Sequence, residues 1–492
     1  MDSCVRLSEN LKRKLEVLKP LITYFAGLEF DSDSKYIEFL LNLAIHKILN
    51  DILSDPESRL DLIKMIFREN PEIVKNDLRK RGELEKIKWV DDLLAYDKKW
   101  RELTKRINEL RHKRNVLTVE IAKLKKEGKD FKDKLKEVKE LPKKIEELEE
   151  KASKLKEKID YILMRLPNIL HESVPVGKDE SENVVIRVWG KPPKFDFEPK
   201  NHLEIALDLG LIDAKRAAKV SGHGFFYLRE ELVLLDFAIM RFAIDFLRKR
   251  GYTLIEPPFM IREKPYLGVT DLEFFRDQLY KVEKDDLYLI ATAEHPLAAM
   301  FMNEILDKDM LPIKLVGVSP CFRREVGAHG KYTKGLFRMH QFNKVEQFIF
   351  CLPDQSWELH EELQRNSEEL YKKLGLHFRV VNVCTGDIGS IAAKKYDIEV
   401  WMADGKYREV GSNSNCTDYQ ARRLNIRWRE KPGQAPKGFV HTLNNTALAT
   451  SRTMMAILEQ FQQKDGSVKI PRVLWPYMGG IKKLEKKEIS WS

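Results

Sequence analysis

The feature that most constrains this chain is a spacing. Within residues 89–166, Leu93, Tyr96, Trp100, Leu103, Ile107, Leu110, Arg114, Leu117, Ile121 and Leu124 follow one another in steps of three and four. Leu141, Ile145, Leu148, Ala152, Leu155, Ile159, Ile162 and Leu166 do the same. Such steps wind a narrow apolar stripe that only another helix can cover. Between the two runs lies KKEGKD, whose Gly128 stops a helix. Two long runs joined by a short turn fold back as an antiparallel coiled-coil hairpin. Pro142 is expected to bend or delay the return helix near its start, and Arg114 to interrupt the apolar register as a local break. The hairpin surface is rich in Lys and Arg mixed with Glu. That is what a solvated coiled coil needs, and it is also what an arm reaching a polyanion needs.

A chain of 492 residues is too long for one core and implies two or more domains. Residues 1–58 read as a helical extension, because Ile37, Leu41, Ile45, Ile48 and Ile52 recur three or four apart. A docked extension and a separate partner-binding module both fit that pattern. Residues 59–170 form a helical domain containing the hairpin. RLPNILHESVPVGKDESENV then reads as a linker, placed at 171–190. From 191 to 492, β-rich runs such as LYLIATA, HFRVVNV and YDIEVWM mix with helical ones without strict alternation. That favours an α+β domain, an antiparallel sheet flanked by helices.

The formal charge of +10, from 87 basic and 77 acidic residues, permits a polyanionic partner without requiring one. The five cysteines show no paired spacing and read as free thiols of a reducing compartment, not as a disulfide framework or a zinc site. No apolar run spans a membrane, and the acidic N-terminus lacks a signal core, so a cytoplasmic protein is expected. Neither GxGxxG nor GxxxxGK[ST] occurs, so the common nucleotide loops are missing.

One short stretch carries more chemistry than its neighbours. SPCFRRE (319–325) runs as a strand into Arg323, a loop with Gly327, Gly330 and Gly335 follows, and FRMHQFNKVEQF (337–348) resumes as a strand. Alternation along such a hairpin puts Arg323 and Glu325 on one face. A guanidinium on a rigid strand can hold a phosphate bidentately, and an aromatic ring such as Phe342 can stack on a base. The ordinary alternative stands beside it: arginine–glutamate pairs across a hairpin are usually structural, and phenylalanine is usually core.

FRRE followed by FRMHQFNKVEQF resembles motif 2 of the class II aminoacyl-tRNA synthetases, and the HQFxKVEQF form is similar to the seryl-tRNA synthetase family. Other pieces follow in that family's order. GYTLIEPPFM (251–260) resembles motif 1 at the dimer interface, and TAE (292–294) the serine-binding strand. REVGSNSNCTDYQARR (408–423) resembles the metal and ATP strand, TLNNTALATSR (442–452) motif 3, and the helical hairpin the tRNA-binding arm. The resemblance covers about residues 60–475 and leaves residues 1–58 without a role. Motif 3 departs from the wider class, with Ala447-Leu448-Ala449 where Gly-x-Gly is preferred. Arg324 stands where motif 2 prefers a small residue, and is taken as neutral.

The resemblance implies a homodimeric serine–tRNA ligase. Serine's carboxylate would attack the α-phosphorus of ATP, and the 3′-terminal hydroxyl of tRNA(Ser) would then take the serine. Whether tRNA(Sec) is also a substrate stays open. Since the attacking group is already an anion, charge neutralisation and alignment replace a general base. Arg323 would bridge the α-phosphate and the serine carboxylate. Glu325 would face the adenine amino group, with Phe342 stacked on the ring and the Met339 main chain nearby. Arg324 is counted with the ATP set. Arg338 and Arg452 would hold the outer phosphates. Glu409, Val410, Gly411 and Ser412 would line the ATP strand, Glu409 and Ser412 carrying Mg²⁺. L-serine would sit among Thr292, Ala293, Glu294, Arg323, Glu346 and Thr446. Arg323, Glu409 and Arg452 would be the catalytic set. Alanine would leave buried polar groups unpaired, at about 1–3 kcal/mol each, and threonine is excluded by volume. A zinc-dependent serine site is not expected, since TAE is present and a cysteine-rich ligand set is not.

Single positions have plainer readings. Ser412 would serve as a turn serine, and Thr446 as a helix cap. Two other functions compete at the level of the chain. One is a relative that activates an amino acid for a carrier protein, but such relatives lack the long arm. The other is a catalytically dead paralogue, which would have lost the arginines or the metal carboxylate.

Overall fold

The computed structural model describes residues 70–325 and 335–486, without the side chains of Glu273 and Phe274. The expected extension at 1–58, Cys4, and the glycine loop around Gly327 and Gly330 lie outside the described residues. The described residues fall within one compact unit, Lys64–Ser492.

Helix α1 (Pro71–Arg81) starts with proline in its first turn, where no backbone donor is lost. It ends at Gly82 in the left-handed region, with the glycine N–H returning to Arg79 O at 3.1 Å. Helices α2 (Ile87–Lys126) and α3 (Lys132–Leu163) then form the hairpin, reversing at Gly128. Its seam is the predicted stripe. Leu93, Ile107, Leu110, Leu117, Leu141, Ile145, Ala152, Ile159 and Ile162 are all under 9% exposed. Each fully buried leucine contributes about 1.5–3 kcal/mol relative to exposure, more than an exposed ion pair between the two helices adds. The break expected at Arg114 and the delay expected at Pro142 do not occur. Helix α2 passes through Arg114 unbroken, because a long side chain at the rim of a stripe can lie along it with its charge in water. Helix α3 starts at Lys132, so Pro142 sits in its interior and does not set its start.

The second half is built on one eight-stranded sheet. Its strands are β1 (Val184–Trp189), β2 (Thr253–Ile255), β3 (Ile313–Phe322), β4 (Gln341–Cys351), β5 (Phe378–Asn382), β6 (Lys394–Trp401), β7 (Tyr407–Asn415) and β8 (His441–Ala449). Their order is β1-β5-β6-β7-β8-β4-β3-β2. Every neighbouring pair is antiparallel except β2 and β3. Strand β1 lies in the stretch read as a linker, and its VVIRVW pairs with β5 at the sheet edge. The Pro, Gly and Asp signals end just before it.

Alternation along β4 assigns the two faces. Val345 and Ile349 join a core with α4 (Glu231–Arg248), α5 (Ser356–Leu374) and α6 (Thr450–Gln460). Phe348 and Phe350 face the other way, into a core shared with the short helices Glu294–Ala298 and Tyr419–Leu424. Phe342, Lys344 and Glu346 have the parity of Phe348, so the second face carries the site.

Candidate active site

Strand β3 ends at Phe322, paired with Gln341. Arg323–Glu325 therefore lie beyond the strand, and Glu325 has a φ of 50°. The alternation expected to put Arg323 and Glu325 on one face does not operate, because the chain has left the ladder. Instead Arg323 is fixed by its backbone, whose N–H donates to His340 O at 3.0 Å. Its guanidinium lies 5.3 Å from the centre of the Phe342 ring, and Nε reaches Ala291 O at 3.4 Å.

Two bulges bring further polar groups to the same face. On β7, Gly411 pairs with Ile398 and Glu409 with Glu399, so Val410 is the extra residue. Val410 turns into the helical core, while Glu409 and Ser412 meet, Ser412 Oγ donating to Glu409 Oε1 at 3.1 Å. On β8, Ala447 is the extra residue between Thr446 and Leu448. Gly411 suits the close approach of these strands, since a Cβ there would lie 3.0 Å from Thr446 O and crowd it. Ser412 and Thr446 both sit inside strands, so neither is a turn serine or a helix cap. Arg452, in the first turn of α6, donates through Nη1 to Glu409 O at 3.0 Å and to Oε1 at 3.2 Å.

Glu346 is 1% exposed and meets Lys344 Nζ at 2.5 Å. Thr446 Oγ1 lies 3.3 Å from both Lys344 Nζ and Glu346 Oε2. Glu294 is half-buried, and its Oε1 accepts from Gln420 Nε2 at 2.9 Å and from Asn444 Nδ2 at 3.1 Å. Thr292 Oγ1 accepts the Glu294 N–H at 3.2 Å and also borders the site.

The two accessible carboxylates are pushed apart. Burial, with Glu346 as a like charge, raises Glu294 to about 7 despite Lys344 and Arg323. Burial alone would also raise Glu409, but Arg452, Lys395 and Arg323 outweigh it and hold the carboxyl at about 2. The Glu409 side chain stays 43% exposed, open to the cavity. Behind it, burial and the charge of Glu409 raise Asp397, although Lys395 Nζ stands 3.4 Å away.

These groups line one cavity of about 640 Å³. Of the residues singled out in the sequence, Thr292, Glu294, Arg323, Phe342, Glu346, Glu409, Val410, Gly411, Ser412, Thr446 and Arg452 border it. Ala293 is buried behind it. Arg324, Glu325, Arg338 and Met339 are not among its walls. Arg324 is exposed, Arg338 pairs with Glu325 at 3.4 Å, and the Met339 side chain lies in the helical core. The sequence reading passed over Lys344, Lys395 and Asn444. Lys344 and Asn444 had a signal, since the one alternates with Phe342 and Glu346 on β4 and the other with Thr446 on β8. Lys395 had none short of the tertiary structure.

A deep, strongly charged cavity on an antiparallel sheet, framed by a hairpin arginine and a helix-start arginine, is the arrangement of a class II synthetase core. Residues 279–461 match the family described as the tRNA synthetase class II core domain (G, H, P, S and T). Residues 61–170 match the seryl-tRNA synthetase N-terminal domain. A serine–tRNA ligase of Methanocella arvoryzae is 55% identical over 418 residues, which cover 85% of this chain and 98% of the relative. The crystal structure of seryl-tRNA synthetase from Pyrococcus horikoshii complexed with ATP superposes with a TM-score of 0.82 at 54% identity, covering 86% of this chain and 99% of that one. The cytoplasmic serine–tRNA ligase of Naegleria fowleri in complex with AMP gives 0.77 at 37% identity, covering 86% and 98%. The chain belongs to the seryl-tRNA synthetase family.

Proposed function

We propose that this chain activates L-serine with ATP and transfers it to the 3′ end of tRNA(Ser). The observation that carries the reading is the single cavity in which Glu294 and Glu346 face Arg323 and Lys344, beside the Glu409–Ser412 pair and Arg452. Serine's ammonium and hydroxyl suit the Glu294, Glu346, Thr292 and Thr446 end. Its carboxylate and the ATP α-phosphate suit Arg323. A carboxylate oxygen of serine attacks the α-phosphorus, and the α–β bridge breaks as diphosphate leaves. No proton is moved, so Arg323 and Arg452 act by neutralising charge and aligning the anions. In the second step a terminal tRNA hydroxyl attacks the seryl carbonyl, giving up its proton as the bond from that carbon to the phosphate oxygen breaks and AMP departs. Phe342 offers its ring to adenine, and the Val410–Gly411 backbone lies along the nucleotide's path.

Glu409 and Ser412 present two hard oxygen donors, one of them held ionised, which fits Mg²⁺. Mg²⁺ bound there would neutralise charge on the diphosphate. The serine end is assigned to protein oxygens, without zinc. Arg324, Glu325, Arg338 and the Met339 main chain belong to the nucleotide set in this reading.

The charged hairpin serves as the tRNA arm within a helical domain at 59–170. Residues 171–190 link it to the catalytic domain at 191–492, with β1 already part of the sheet, and residues 1–58 are given no role in this reading. A homodimer is supported by apolar side chains left open around motif 1. Leu234 and Phe237 on α4 and Leu254 on β2 are 44%, 56% and 43% exposed. The cytoplasm is the assigned location, and no helix among the described residues is long and apolar enough to cross a membrane. Charging of purified tRNA(Ser) with labelled serine tests the assignment. tRNA(Sec) run in parallel decides the second substrate, and failure to charge either removes the reading.

A further inference from the structure

The root of the hairpin is fastened to the wall of the cavity through one buried guanidinium. Arg81 closes α1, and its side chain is 2% exposed. Its Nε donates to Asp77 Oδ2 at 3.0 Å, and Nη1 to Gly389 O at 2.6 Å. Its Nη2 donates to Asn168 O at 2.6 Å and to Ala392 O at 3.4 Å. Asp77 spends its other oxygen on the Leu170 N–H, at 2.9 Å. One side chain thus ties α1, the chain leaving α3, and the segment Thr385–Ala392. That last segment borders the cavity, as does Arg81 itself.

The tie continues to the strand that holds the candidate metal ligands. Asn168 Nδ2 donates to Ile391 O at 2.9 Å and to Cys416 O at 2.8 Å, one residue past β7. On its other flank the segment is pressed onto the linker. Thr385 N–H donates to Pro175 O at 2.9 Å, and a Cβ on Gly386 would fall 2.1 Å from Lys178 O. A buried guanidinium is costly unless its donors are met, and a planar fork is needed to meet a carboxylate on α1 and carbonyls of two other segments at once. The helices do not need this for their own packing, which rests on Val74, Leu78, Val90 and Leu93.

We infer that Arg81 is a positioning residue for amino-acid activation. Through it the helical domain fixes the Thr385–Ala392 wall of the cavity, and so the affinity for serine, before any tRNA is bound. The inference rests on the reading of the cavity as a serine-activation site. Serine-dependent ATP–diphosphate exchange without tRNA tests it on the full chain and on Arg81→Lys, Arg81→Met and Asn168→Ala, each normalised to active sites. The KM for serine should rise about tenfold in Arg81→Met and by less in Arg81→Lys, with kcat per active site within about twofold. A merely structural role would reduce the number of active sites and leave the KM in place; that result, or a wild-type KM in every variant, overturns the inference. If Arg81→Met does not fold, Arg81→Lys and Asn168→Ala decide by the same shift in KM. Failure of the unaltered chain to exchange with serine would instead remove the underlying reading, and the inference with it.

Discussion

The hairpin and the cavity hold their charges in opposite ways. On the arm, Arg111 and Glu149 meet at 2.7 Å with side chains 53% and 43% exposed, and Lys154 and Glu150 at 2.6 Å with 68% and 67%. In the cavity wall, Lys344 and Glu346 meet at 2.5 Å with 7% and 1% exposed. Exposed pairs contribute about 0–1 kcal/mol and are screened by salt. Buried ones cost several kcal/mol of desolvation that their attraction offsets only in good geometry. The arm can therefore exchange its pairs for contacts to phosphate at little loss. The cavity has its charges fixed in advance, as a reaction that develops charge requires.

The sharpest way to break this contrast is Arg323→Ala. Exchange should fall at least about a thousandfold, with the melting temperature little changed, because the group is used by the reaction and not by the core. Near-normal exchange would remove the site assignment. Deleting residues 100–155 should cut tRNA charging about a hundredfold while leaving exchange intact. For the full chain, the KM for tRNA should climb steeply between low and moderate salt while the KM for serine stays level. A flat salt response would show that the arm's cations do not meet a polyanion.

Glu294 gives a smaller, pH-dependent effect. Burial and the charge of Glu346 push its carboxyl up to about 7, and only the ionised form attracts serine's ammonium. Lowering the pH through 7 protonates it, so the KM for serine should rise about tenfold for each unit below. Glu294→Gln should flatten that profile. The least effect belongs to the arm surface: a double-mutant cycle on Arg111 and Glu149 should give a coupling under about 1 kcal/mol. A larger value would mean that the arm too is electrostatically fixed.

The same contrast explains what was legible in the sequence. The arm's fold follows from local periodicity, and every position of the predicted stripe is buried or half-buried. Arg114 and Pro142 misled only because a long side chain can lie along a stripe, and because α3 begins earlier than its apolar run. The site was legible as motifs but not as geometry. Nothing in REVGS announces that Val410 is an extra residue in β7, yet that bulge is what brings Glu409 to Ser412. Arg323 was found, but its place comes from a backbone bond to His340 beyond the strand end. Asn444, which steadies Glu294, and Arg81, which ties the arm to the cavity, depend on contacts across 150 and more than 300 residues. No local pattern encodes such distances.

The most direct test of the central claim is ATP–diphosphate exchange by the full chain with Mg²⁺, run separately with each of the twenty amino acids. The account predicts exchange with serine and none above background with threonine or alanine. No exchange with serine, or equal exchange with another amino acid, would contradict it.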